Sequence, residues 1–89
     1  MRESIIERAD ADRIEAAGGM SLKFVSPGRN HVPDRISLMP IHEHHREIVA
    51  KYFQFTEYKK PGEKPRPGQV REHARLRALG YHVNVVDTK

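Results

Sequence analysis

The residues most able to do chemistry are Asp34, directly behind Pro33, and the pair Glu57 and Lys59 within Phe55-Thr56-Glu57-Tyr58-Lys59. Side chains alternate between the two faces of a strand, so a strand through this segment aims Glu57 and Lys59 at one place. On an otherwise apolar face such groups are costly to desolvate unless they pair or bind a cation. Hard divalent ions such as Mg²⁺ are held by one or two carboxylates together with water and phosphate oxygens. That combination serves phosphodiester hydrolysis: the metal stabilises developing charge and helps generate hydroxide, while a lysine orients or deprotonates water. A second reading of the same residues has Asp34 closing a strand turn and Glu57 with Lys59 forming an exposed ion pair worth at most about 1 kcal/mol.

Positioning these groups requires a mixed set of elements. Ser4 followed by Glu7 has the form of a capping box, and the stretch to Ala17 before Gly18-Gly19 reads as a first helix, Ser4 to Ala17. A short apolar run from Leu22 to Val25 is followed by a turn at Ser26-Pro27-Gly28-Arg29-Asn30. Pro33 begins a second run, in which Asp34, Ile36 and Leu38 share one parity, and Pro40 closes it. Ile41 to Lys51 stays open between helix and strand. Its segment His42-Glu43-His44-His45-Arg46 is not HExxH, because Arg46 stands where the second histidine belongs, and it reads as a solvated histidine-rich loop.

Tyr52 to Lys59 is the best strand in the chain, with Phe53, Phe55, Glu57 and Lys59 on one face. Lys60 to Pro67 must be a loop, since its prolines allow neither ladder nor helix. A last helix from about Pro67 to Leu79 ends at Gly80, and Tyr81 to Val86 is a final strand. The order α-β-β-β-α-β makes an α/β (α+β) domain with a central mixed sheet flanked by helices.

Composition sets the outer limits. With 89 residues the chain reads as a single domain, 1–89, whose modest core would gain from a dimer interface. The absence of cysteine excludes thiolate zinc sites, cysteine nucleophiles and disulfides. No apolar run approaches the roughly 20 residues of a membrane helix, and Met1-Arg2-Glu3-Ser4-Ile5-Ile6 lacks a signal peptide's apolar region, so a cytoplasmic protein without a membrane partner is expected. No Gly-rich phosphate loop is present, which leaves a nucleotide cofactor without support. Sixteen Lys+Arg against twelve Asp+Glu give a net charge of +4, consistent with a polyanionic partner.

Taken together and in order, Gly18-Gly19, Leu22-Lys23-Phe24-Val25-Ser26-Pro27-Gly28, Val32-Pro33-Asp34-Arg35-Ile36, Phe55-Thr56-Glu57-Tyr58-Lys59, Pro61-Gly62-Glu63-Lys64-Pro65-Arg66-Pro67-Gly68-Gln69 and Leu79-Gly80-Tyr81 resemble the VRR-NUC branch of the PD-(D/E)xK nuclease superfamily. The resemblance covers most of the chain and implies a restriction-endonuclease-like core. It implies that Asp34 and Glu57 are the metal-binding carboxylates for Mg²⁺ or Mn²⁺, with the main-chain carbonyl of Tyr58 a further ligand. Lys59 matches the catalytic lysine, and Gln69 matches a glutamine associated with the active site. Glu7 matches the acidic residue of the first helix, with Glu3, one turn earlier, as the other candidate. The family carries glycine two residues before the PD proline, where this chain has His31, and often joins the two motif strands by a short hairpin, where this chain has Ile41 to Lys51 in addition.

Small members of the branch look like homodimeric enzymes that cleave Holliday junctions, so branched DNA and a second copy are the partners implied. Arg29, Arg35, Lys60, Lys64 and Arg66 are the candidates for phosphate contact, which gives salt-dependent and largely sequence-independent affinity. Two alternatives remain beside the junction enzyme. One is a nuclease acting on flaps or ends, and the other is a non-catalytic DNA-binding module that keeps the fold.

Overall fold

The computed structural model describes residues 2–88 and has the element order α1 (Glu3–Ala16), β1 (Met20–Lys23), β2 (Arg35–Leu38), α2 (Glu43–Tyr52), β3 (Phe55–Tyr58), α3 (Pro67–Leu79) and β4 (Val83–Val86). It is a mixed α+β chain, as expected, with one element more than the expected order: a helix, α2, stands between the second and third strands. The strands hydrogen-bond as two pairs, β1 with β2 and β3 with β4, where a central mixed sheet was expected. The chain divides into two compact units, Met1–Pro40 and Ile41–Lys89.

In the first unit β1 and β2 are antiparallel, with Met20 opposite Leu38 and Lys23 opposite Arg35. The Phe24 N–H donates to the Asp34 carbonyl at 3.0 Å, which carries the ladder one step past the strand ends and pins the Asp34 backbone. Helix α1 packs on both strands, and Ala11, Ile14 and Leu38 are buried. The expected capping box is replaced by a plainer start: Arg2 is the N-cap, no side chain caps it, and Ser4 lies inside the helix. Glu7 is unavailable to reach back because it is engaged with Lys23 and Arg35.

Among the described residues His31 is the one non-glycine residue with positive φ, at 64°. A Cβ in that region costs about 1–2 kcal/mol, so the position at which the resemblance implies glycine does demand a glycine-like path, and His31 adopts it. Because glycine loses about 0.5–1 kcal/mol more chain entropy on folding, His31→Gly should leave stability unchanged or raise it slightly. His31→Val should lower it by at least about 1 kcal/mol. Urea unfolding of the two variants checks this; a valine variant as stable as the glycine one would refute it.

In the second unit β3 and β4 are parallel, with Phe55 opposite Val83 and Glu57 opposite Val85. The ladder continues at both ends, from the Phe55 N–H to the His82 carbonyl and from the Lys59 N–H to the Val86 carbonyl, each at 2.9 Å. Phe53, Phe55 and Tyr81 meet edge to face with ring centroids 5.1 to 6.0 Å apart. Helix α3 follows its sequence signals closely: Pro67 opens it, and Gly80 ends it at φ 106°. A Cβ on Gly80 would come within 2.6 Å of Arg46 Nε, so glycine is required there for space as well as for conformation.

Helix α2 takes the segment left open in sequence, and the histidine-rich stretch is its first turn and not a loop. His42 is the N-cap, with Nδ1 accepting the His44 N–H at 3.2 Å, and the His42 and His44 rings stack at 4.7 Å. At the other end Gln54 Nε2 donates to the Ala50 carbonyl at 2.7 Å, satisfying one of the carbonyls a helix end leaves open. Tyr52 therefore belongs to α2, and the expected strand from Tyr52 shortens to Phe55–Tyr58.

Candidate active site

Strand β3 places Glu57 and Lys59 as its alternation demands. Phe55, Glu57 and Lys59 are half-buried while Thr56 and Tyr58 are exposed. The Glu57 and Lys59 side chains are 25% and 10% exposed, with Lys59 Nζ 3.7 Å from Glu57 Oε2. An exposed ion pair is therefore not what the strand builds; the lysine is almost fully desolvated beside its acid.

Helix α3 supplies the other side of this site. Gln69 is the third residue of the helix, and its amide does two things at once. Its Oε1 accepts the Arg66 N–H at 2.9 Å, closing the open helix terminus, and its Nε2 donates to Glu57 Oε2 at 3.1 Å. The glutamine thus ties the start of the helix to the acid. One turn later, His73 is buried and its Nε2 lies 3.5 Å from Glu57 Oε1. Gln69 and His73, with Leu76, sit on the helix face that forms one shallow pocket with Phe55, Glu57 and Val83. Sequence reasoning missed His73; the signal available was its spacing of four from Gln69, which puts both on one helix face.

The first unit holds the remaining candidates. Asp34 is exposed at the entry to β2, and it lines a second pocket with Glu3, Ile6, Glu7, Asp10 and Arg35. Both helix-1 candidates, Glu3 and Glu7, thus face the cleft that Asp34 faces. The β1–β2 register sets Lys23 and Arg35 directly opposite each other, an arrangement of like charges that is unfavourable alone. The Glu7 carboxylate answers it. Glu7 Oε2 accepts from Lys23 Nζ at 2.8 Å and from the Arg35 guanidinium. Arg35 also reaches the Ser21 carbonyl at 3.4 Å, so this candidate for phosphate contact is half-buried and already engaged. Arg29, Lys60, Lys64 and Arg66 are exposed.

The Lys23 hydrogen bond, followed by that from Arg35, holds the Glu7 carboxyl below its ordinary value. A group with a depressed folded-state pKa adds stability that is present above its unfolded pKa and disappears as pH falls through the folded one. Acidification from about pH 6 to about pH 3 should therefore lower the melting temperature, and Glu7→Gln should flatten that decline. Identical pH slopes for the two proteins would remove Glu7 from the linkage.

The donor set suits a hard divalent cation. The Glu57 carboxylate and the main-chain carbonyl of Tyr58 are oxygens on successive residues of β3, and the chain has no thiolate to favour a softer metal. Among the described residues no three His, Cys, Asp or Glu side chains form a ready cage. Mg²⁺ does not need one, because it keeps several waters and takes only one or two carboxylates.

Among the described residues no helix is long and apolar enough to cross a membrane. A protein called "Putative nuclease p44", from Acyrthosiphon pisum secondary endosymbiont phage 1, is 46% identical over 89 residues, covering 100% of this chain and 86% of that protein. No family model matches the chain, and no solved structure matches it.

Proposed function

The chain belongs to the family of the phage protein called "Putative nuclease p44", and from that premise we propose that it is a metal-dependent endodeoxyribonuclease of the VRR-NUC branch of the PD-(D/E)xK superfamily, cutting branched DNA as a homodimer. The observation that carries this reading is the convergence on one half-buried acid, Glu57, of a desolvated lysine from its own strand and a glutamine amide from the start of α3. An exposed surface pair would need neither the burial nor the amide.

In the second unit Glu57 and the Tyr58 carbonyl are the proposed oxygen donors for Mg²⁺ or Mn²⁺; in the first, Asp34 is the proposed metal-binding carboxylate and Glu7 the assisting acid. The ion supplies Lewis-acid stabilisation of the charge that develops on the phosphate and a more acidic bound water. Lys59, held beside Glu57, positions the attacking water and offsets negative charge in a site of low dielectric. Gln69 keeps the Glu57 carboxylate oriented, at the same time as it closes the helix terminus. Arg29, Lys60, Lys64 and Arg66 hold phosphates of the flanking backbone, and Arg35 joins them only by exchanging its contact with Glu7. A two-fold dimer presents two sites to two opposing strands, as symmetric cutting of a four-way junction requires.

The test is a panel of labelled four-way junction, flap and linear duplex, each with Mg²⁺, Mn²⁺ or a chelator. The expected result is cleavage only with metal and fastest on the junction. Cleavage undiminished by the chelator would sink the metal-dependent mechanism, and a flap or end preference would move the substrate assignment to that class. Salt-sensitive DNA binding with no cleavage under any metal would identify a non-catalytic DNA-binding module. Light scattering at micromolar concentration reads the dimer separately.

A further inference from the structure

We infer that His73 is a positioning residue for Glu57, orienting that carboxylate for the divalent ion; this rests on the nuclease reading above. Buried polar groups are kept only where a partner meets them, and His73 is 8% exposed. Its Nε2 faces Glu57 Oε1 at 3.5 Å, while Gln69 Nε2 donates to the other oxygen, Oε2, at 3.1 Å. The two helix residues are one turn apart, so a single rigid element approaches both oxygens of one carboxylate. Gln69 is in turn anchored by the Arg66 N–H at 2.9 Å. With the Gln69 amide bonded to one oxygen and the His73 imidazole 3.5 Å from the other, α3 restrains rotation of the carboxylate about its terminal bond and favours one orientation towards a metal. Partners of this kind, which fix a ligand without touching the ion, typically set 10- to 100-fold in metal affinity, as an order-of-magnitude figure.

His73→Gln keeps an N–H donor near the position of Nε2, whereas His73→Leu keeps bulk and burial but no donor. Mn²⁺ binding measured by titration calorimetry on the full chain, with circular dichroism and melting temperature as folding controls, separates the possibilities. The expected result is a dissociation constant raised roughly 10- to 100-fold in the leucine variant and by less than about threefold in the glutamine variant. If the leucine variant does not fold, His73→Asn, whose shorter amide falls short of Glu57, takes its place with the same expectation. A folded leucine variant, or the asparagine variant in its place, that binds Mn²⁺ as wild type does overturns the role of His73. Equal losses in the glutamine and leucine variants also overturn it, in favour of direct ligation by the imidazole. A wild type that cuts DNA and binds Mn²⁺ isolates either failure to His73, whereas a wild type that does neither overturns the nuclease reading along with it.

Discussion

Glu57→Gln is expected to slow metal-dependent DNA cleavage by at least about 10²- to 10³-fold, the usual cost of removing one group that stabilises charge in the transition state. The substitution preserves shape and can still meet Gln69, so the fold should survive. What it removes is the negative charge that answers Lys59, 3.7 Å away, and that is proposed to hold the cation. Lys59→Met, which keeps the apolar stem and removes the ammonium, should lose about 10²-fold in the catalytic step while DNA affinity changes little. Single-turnover cleavage of a labelled junction at saturating enzyme reads both effects. Rates equal to wild type in the two folded variants would show that this pair does no catalysis.

Leu38→Ala is the change expected to cost the fold most, at about 2–5 kcal/mol. Leu38 is 2% exposed and lies opposite Met20, at the end of the β1–β2 pair away from the connecting loop. Its backbone carbonyl is also the atom that would lie 2.6 Å from a Cβ on Gly19, with the Ile14 side chain at 3.1 Å, so the chain entering β1 and the end of β2 approach each other closely beneath α1. Truncation leaves a cavity that a close approach of this kind cannot collapse to fill. Domains of this size are stable by roughly 5–15 kcal/mol at best, so the urea midpoint should fall sharply with an unchanged slope. The same strands carry Arg35 and the backbone of Asp34, so loss of activity should accompany loss of structure. A midpoint like that of wild type would place Leu38 outside the core.

Local pattern was enough to find the acid and lysine of β3 and the bounds of α3. Alternation in Phe55 to Lys59 fixes which side chains share a face whatever the strand pairs with, because the pleat has a period of two. Pro67 and Gly80 bound α3 through backbone properties of their own, a preset φ and a tolerated positive one. Helix α2 was not legible for a corresponding reason. Its cap is a histidine, outside the usual Ser, Thr, Asp and Asn set, and its first turn, Glu43-His44-His45-Arg46, is wholly polar, which leaves Ile48-Val49 too short a run to separate helix from strand.

The sequence by itself determined the chemistry available to this protein: hard oxygen donors and a lysine, no thiol, and Glu57 and Lys59 aimed to one side. The tertiary structure alone decided what those groups touch. Glu7, which the sequence offered both as a capping-box residue and as the acidic residue of the first helix, bridges Lys23 and Arg35, the latter 28 residues away. Gln69 reaches Glu57 across 12 residues, and His73 joins them unannounced by any motif. Periodicity depends on dihedral angles that neighbouring residues set, whereas these contacts depend on register and packing between elements, which no local pattern encodes.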